Sequence, residues 1–231
     1  MIEKLKPTYS SFLKWKERIK YSTFGDKNYK KFVIISTSRT GSTLLMALLN
    51  NHENIICEGE IFKNLNDKTC KQIWTNFFGK KPREIKQVGF KLFYFHPNGD
   101  DKSVWDFIDS DKNITIIHLM RKNLLRIYLS QRIGLKTKLW TDNVNRPNNI
   151  SLDSKKVTLD YQECSDALDK MATYQNKTKE MFKNHKYLEV YYEDLVKNQP
   201  LEMNKIFTAL NLPANEVSAN NKKQISHPPF F

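Results

Sequence analysis

Ser36-Thr37-Ser38-Arg39-Thr40-Gly41-Ser42-Thr43-Leu44-Leu45 lies between two apolar segments of different character. Residues 32–35, Phe-Val-Ile-Ile, read as a buried β-strand, and residues 44–49 read as the start of an apolar helix. A strand, a short Gly/Ser/Thr loop and a helix N-terminus in that order form an anion site. The loop offers main-chain N–H groups and the helix adds the positive end of its dipole. Hydroxyls at Ser36, Thr37, Ser38, Thr40, Ser42 and Thr43 add donors, and Arg39 adds a charge that forks onto phosphate or sulfate oxygens. An ATP-binding loop of the Walker type needs a second glycine followed by Lys-Ser/Thr. Here Gly41 is followed by Ser42 and the loop holds no lysine, which favours an anionic donor held without metal over a magnesium nucleoside triphosphate.

Working outward, the chain repeats the strand-then-helix pattern. Residues 32–37 form the first expected strand and 42–51 the helix after it; 55–57 form a short second strand, and a helix runs from Asp67 to about Phe78. Residues 88–95, Val-Gly-Phe-Lys-Leu-Phe-Tyr-Phe, read as a buried strand interrupted by Lys91. A helix over 103–108, an apolar strand over 114–119 and a helix over 123–133 follow. Residues 136–158 are polar and without period, the pattern of a long surface loop on the acceptor side. An amphipathic helix over 160–184 carries Tyr161, Cys164, Leu168, Met171, Tyr174 and Met181; a last strand over 187–191 and a helix from Pro200 complete the pattern. Residues 8–20 read as a helix or irregular arm packed on the domain, and 214–231 as a polar tail. Alternation of this kind predicts an α/β fold with a central parallel sheet covered on both faces, a three-layer sandwich.

Composition sets bounds on class. With 231 residues, 39% apolar and 27% charged, the chain is expected to form one domain with a sizeable core. No apolar run approaches the roughly 20 residues of a membrane span. The first residues, Met-Ile-Glu-Lys-Leu-Lys, have no apolar core of a secretory signal. Cys57, Cys70 and Cys164 are scattered and odd in number, as reduced structural thiols of a cytoplasmic protein are, and no His/Cys spacing suggests a metal site. The net charge of +13 draws anions of many kinds, from nucleic acid to phosphorylated small molecules.

A second anion site is expected after the 114–119 strand, where Arg121 and Lys122 stand at a carboxyl edge and Ser130 lies farther along the next helix. The two loops, with Tyr191-Tyr192-Glu193-Asp194-Leu195 near the end, resemble the sulfotransferases that use 3′-phosphoadenosine 5′-phosphosulfate (PAPS) as donor. The 38–45 run is similar to that family's 5′-phosphosulfate loop in the arginine-bearing form of carbohydrate sulfotransferases. The Arg121 to Ser130 segment resembles its 3′-phosphate motif, and Tyr-Glu-Asp-Leu with the later Leu-Asn-Leu-Pro resembles its closing segment. The likeness covers about residues 32–213.

The resemblance implies the P-loop-like sulfotransferase fold, with the whole chain as one such domain. It implies donor binding by Ser38, Arg39, Thr40, Gly41, Ser42, Thr43, Arg121 and Ser130, and catalytic roles for Arg39, Glu60 and Lys91. Gly59-Glu60-Ile61-Phe62 lies where trehalose-modifying bacterial sulfotransferases place a glutamate base. Lys91 and His96 stand roughly where cytosolic sulfotransferases place a lysine and a histidine base, in a spacing that departs from Lys-X-His. Glu58 is a further carboxylate in the same region. The implied reaction transfers a sulfuryl group from PAPS to a hydroxyl of a small molecule or glycan, with no metal, no specific nucleic acid and no membrane span. The alternatives are a P-loop-type kinase, against which the missing loop lysine counts, and a non-catalytic basic protein that binds nucleic acid or membranes. No motif in the chain names the acceptor, although the 136–158 loop and the surroundings of Trp74 and Trp140 are candidates to shape its pocket.

Overall fold

The computed structural model describes residues 25–139 and 156–213. Its centre is strand β1, Lys30–Ser36, in which every residue from Phe32 to Ser36 is buried. Helix α1 (Ser42–Asn50) and strand β2 (Ile55–Glu58) follow, then α2 (Cys70–Phe77), β3 (Gln87–Phe93), α3 (Val104–Ser110) and β4 (Thr115–Met120). Next come α4 (Leu124–Thr137), α5 (Tyr161–Met181), β5 (Lys186–Tyr191), α6 (Tyr192–Lys197) and α7 (Gln199–Ala209).

The five strands form one parallel sheet in the order β2-β3-β1-β4-β5. β1 pairs on one side with β3, placing Ile34 beside Lys91, and on the other with β4, placing Ile34 beside Ile117. Every residue of β3 and β4 is buried, the pattern of strands covered on both faces. Alternate residues of β1 show the two covers. Phe32 and Ile34 pack with Leu45, Leu48 and Leu49 of α1 and with Met203, Ile206 and Phe207 of α7. Val33 and Ile35 pack on the opposite face with Phe62, Phe90, Val104, Ile108 and Phe182. The expected three-layer α/β arrangement is therefore present. Gly89 is required within it: a Cβ there would lie 2.4 Å from the Phe32 carbonyl and 2.6 Å from its ring.

The order of strands also locates a crevice. The chain leaves β1 towards β2 on one side and leaves β4 towards β5 on the other, so the carboxyl ends of these neighbouring strands flank a switch point, where such sheets bind ligands.

Several boundaries differ from the sequence expectations. α2 starts at Cys70, not Asp67, because Asn66 and Asp67 adopt left-handed φ values of 47° and 61°. Thr69 and Gln72 then close a capping box: the Gln72 N–H donates to Thr69 Oγ1 at 3.2 Å and the Thr69 N–H to Gln72 Oε1 at 2.9 Å. α4 runs on to Thr137, so the loop expected from residue 136 begins later. The short α6 was not expected. Tyr161 is 84% exposed, outside the apolar stripe assigned to it, because it occupies the first position of α5. Trp74 is half-buried and packs in an aromatic cluster with Phe62, Phe78, Phe90 and Phe107 against the core. The 8–20 arm, Trp140 with most of the expected acceptor-side loop, and the 214–231 tail lie outside the described residues. Among the described residues, no helix is long and apolar enough to cross a membrane.

Candidate functional site

The loop joining β1 to α1 is bent by two left-handed residues, Arg39 at φ 68° and Gly41 at φ 84°. Gly41 is the N-cap of α1 and supplies no side-chain cap. Ser42 and Thr43 therefore occupy the first turn and do not cap it. Thr40 braces the loop from within by donating its hydroxyl to the Thr37 carbonyl at 2.8 Å. A side chain at position 41 is excluded by Tyr192, whose ring would lie 2.3 Å from a Cβ. The loop and the first turn of α1 lie at the carboxyl end of β1, with Tyr192 packed on Gly41.

Three groups join this loop to the segment after β4. Arg39 Nε donates to Ser130 Oγ at 2.7 Å. Gln131 Nε2 donates to Ser38 Oγ at 2.9 Å. Arg121 Nη1 donates to the Arg39 carbonyl at 3.2 Å. The Arg121 guanidinium also lies over the Tyr192 ring, 4.7 Å from its centroid, the distance of a cation–π contact. Its Nε stands 3.6 Å from Glu193 Oε1 and is buried without a hydrogen bond. Ser130, expected to share a phosphate with Arg121, here accepts from Arg39 of the first loop.

Behind Arg121, Glu193 organises the start of α4. It accepts from the Lys122 N–H at 3.0 Å and the Asn123 N–H at 3.4 Å, while Asn123 Oδ1 accepts from the Arg126 N–H at 3.0 Å. Asp194 pairs with Lys122 Nζ at 2.6 Å, and this bond is the main reason the Lys122 ammonium titrates above its ordinary range. The Tyr-Glu-Asp segment therefore braces the second loop. Sequence reasoning missed Tyr192 and Gln131 as site members. Neither carries a charge, and the signal available for both was only adjacency, Tyr192 to Glu193 and Gln131 to Ser130.

A second group lies at the ends of β2 and β3. Lys91 Nζ stands 3.1 Å from Glu60 Oε1, and His96 Nε2 stands 3.7 Å from Glu60 Oε2. Lys91 and His96 are buried, whereas the Glu60 side chain keeps 24% of its surface open to solvent. Burial lowers His96 to about 4, outweighing the attraction of Glu60, and Lys63, Lys91 and Lys102 push the same way as burial. The Phe93 N–H donates to His96 Nδ1 at 3.3 Å. An imidazole that is neutral and accepts at Nδ1 carries its proton on Nε2, so at neutral pH it offers Glu60 a donor and has no free lone pair for a base. Beside them, Tyr94 OH bonds His118 Nε2 at 2.7 Å, His118 Nδ1 bonds Tyr187 OH, and Tyr94 stacks on Tyr174 with centroids 5.5 Å apart. Burial also lowers His118 to about 4 and raises Tyr94 and Tyr187.

No known family profile matches the chain. It is similar to Nodulation protein H of Rhizobium tropici, 24% identical over 204 residues that cover 81% of this chain and 78% of that protein. Its structure is similar to that of a sulfotransferase from Alicyclobacillus acidocaldarius, with a TM-score of 0.55, 13% identity and 86% of each chain covered. A mouse sulfotransferase, SULT7A1, complexed with PAP, aligns over 85% of this chain and 64% of its own with a TM-score of 0.45 and 14% identity. The Alicyclobacillus likeness shows the sulfotransferase fold.

Proposed function

We propose that the protein transfers a sulfuryl group from PAPS to a hydroxyl of a carbohydrate or related small acceptor. The observation that carries the reading is the direct link between the two expected donor loops, Arg121 Nη1 to the carbonyl of Arg39. The described residues suit such a donor in two respects: Arg121 Nε is buried without a hydrogen bond, and the Ser36 hydroxyl at the end of β1 is likewise buried and unpartnered. The similarity to a nodulation protein and the sulfotransferase fold support the same reading.

In this reading Arg121 holds the 3′-phosphate, with Tyr192 and Glu193 fixing its guanidinium. Ser130 and Gln131 position the first loop from α4. Arg39 and the N–H groups at the start of α1 hold the 5′-phosphosulfate and stabilise the charge that grows on the bridging oxygen. Glu60 takes the proton of the acceptor hydroxyl as that oxygen bonds to sulfur. The bond from sulfur to the phosphate oxygen breaks, and its electron pair departs with adenosine 3′,5′-bisphosphate. The transfer resembles in-line phosphoryl transfer, in which positioning and charge stabilisation dominate. Lys91 fixes Glu60 from one side, from the strand next to β1. The unpaired thiols of Cys57, Cys70 and Cys164 suit a reducing compartment, the cytoplasm.

The test is calorimetry with adenosine 3′,5′-bisphosphate and with ATP plus magnesium, followed by labelled-sulfate transfer to a panel of carbohydrates. Binding of the bisphosphate without magnesium, with ATP much weaker, is expected. A protein that binds ATP and ignores the bisphosphate overturns the reading in favour of a kinase.

A further inference from the structure

Deepening the reading above, we propose that His96 is a positioning residue: its Nε2–H orients Glu60, and the exposed part of that carboxylate is left to receive the acceptor proton. The ring is held from several directions. Its Nδ1 accepts from the Phe93 N–H at 3.3 Å, and its main-chain carbonyl accepts from Trp105 Nε1 at 2.8 Å. The ring packs against Phe93 and Phe95 at centroid distances of 5.0 and 4.9 Å. Lys102 Nζ fixes the flanking backbone through the carbonyls of Phe95, at 3.2 Å, and Pro97. Turning the ring to exchange its nitrogens would give up the bond from the Phe93 N–H, while the main-chain bonds hold the backbone that carries the ring.

Nε2 is the ring atom that has no hydrogen bond, and it is buried. Leaving a buried donor unpaired costs about 1–3 kcal/mol, so a partner belongs there. Glu60 Oε2, at 3.7 Å, is the carboxylate oxygen facing it. Hydrogen bonds among catalytic groups are often long before substrate docks and tighten in the complex. The other oxygen of Glu60 is held by Lys91 at 3.1 Å. Two donors on opposite sides thus fix the plane of the carboxylate, while its 24% open surface faces solvent. Burial above all, with the lysines around the imidazole, Lys63, Lys91 and Lys102, opposes its protonation and outweighs the attraction of Glu60, which keeps His96 a neutral donor.

The test combines a spectrum with turnover. In protein labelled with ¹⁵N at the histidine rings, with the His96→Gln variant used for assignment, His96 should show the Nε2–H tautomer from pH 5.5 to 8. The Glu60→Gln variant should move its Nε2 resonance. The Nδ1–H tautomer, a titration midpoint near the ordinary histidine value, or an unmoved resonance in Glu60→Gln overturns the proposal. Turnover is read as release of labelled sulfate from PAPS with water as acceptor. His96→Leu should slow it by about 10- to 100-fold, the size of a misplaced catalytic group. His96→Gln, which keeps an N–H donor, should recover most of the rate, and both variants should bind adenosine 3′,5′-bisphosphate like the parent. Equal loss in the two variants, or no loss in His96→Leu, overturns the proposal. Failure of the parent protein to bind the bisphosphate defeats the donor reading itself, whereas binding together with the Nδ1–H tautomer defeats only the role of His96.

Discussion

Arg121 and Arg39 are bound to each other: Arg121 Nη1 donates to the Arg39 main-chain carbonyl at 3.2 Å across the crevice between the ends of β4 and β1. The guanidinium of one residue and the backbone of the other, 82 positions away in sequence, are thereby joined at one rim of the sheet. Each also has a fixed neighbour, Ser130 for Arg39 and the Tyr192 ring for Arg121. The arrangement fixes two positive charges at one rim of the sheet.

Arg121→Ala is expected to weaken adenosine 3′,5′-bisphosphate binding by about 10- to 100-fold, since a hydrogen bond to a charged group is worth about 1.5–3 kcal/mol. Arg39→Ala should instead act mainly on transfer, lowering the rate by about 10²–10³, as loss of a donor to developing charge does. Calorimetry and labelled-sulfate transfer measure the two effects. Unchanged binding in Arg121→Ala removes that residue from the donor site.

Gly41→Ala tests the close packing of the loop against α6. The backbone there is left-handed at φ 84°, which costs an L-residue about 1–2 kcal/mol, and the added Cβ would lie 2.3 Å from the Tyr192 ring. Displacing Tyr192 also displaces Arg121, which rests on it. Both the thermal unfolding midpoint and bisphosphate affinity should fall. A variant with parental values for both would show that Tyr192 yields freely.

Glu60→Gln separates binding from chemistry. The amide keeps the shape of the side chain and loses its capacity to accept a proton. Transfer is expected to drop by about 10²–10⁴ while bisphosphate affinity stays within about twofold. Parental turnover would assign the base elsewhere.

The two neutral histidines set an acid limit on stability. His96 and His118 are both lowered by burial to about 4 from the ordinary 6.5. The unfolded chain therefore binds protons first as pH falls, so stability is intact above pH 6.5 and declines between 6.5 and 4. Asp101, lowered to about 2 from 3.8 by hydrogen bonds, chiefly from the Cys70 N–H and also from Ser103, adds a further loss below pH 3.8. Urea midpoints measured across this range should fall from pH 6.5 to 4. A flat profile would show that neither ring is held neutral.

Much of this was legible in the chain because it depends on local pattern. The continuous apolar run at 32–35, the glycine-bearing hydroxyl loop after it and the Arg-Lys at 121–122 require only strand length, turn chemistry and charge to be read. Ser130, Tyr192 and Gln131 were less legible because their partners are remote in sequence: Ser130 bonds a residue 91 positions away and Gln131 one 93 positions away. The role of His96 was hidden for another reason. Its tautomer and charge depend on burial and on a single main-chain N–H, neither of which has a sequence signature.

The chain's own order of residues determined the α/β alternation, the parallel sheet and the two loops that carry Arg39 and Arg121, since periodicity and local turn chemistry act over a few residues. Only the tertiary structure decided which loops meet and which side chains partner. Strand order brought β1 beside β4 and β3, and with them Arg39 to Arg121 and Ser130, and the chain after β3 set a buried His96 beside Glu60. The physical reason is that hydrogen-bond partners and desolvation are set by neighbours in space, whereas secondary structure is set largely by neighbours in sequence.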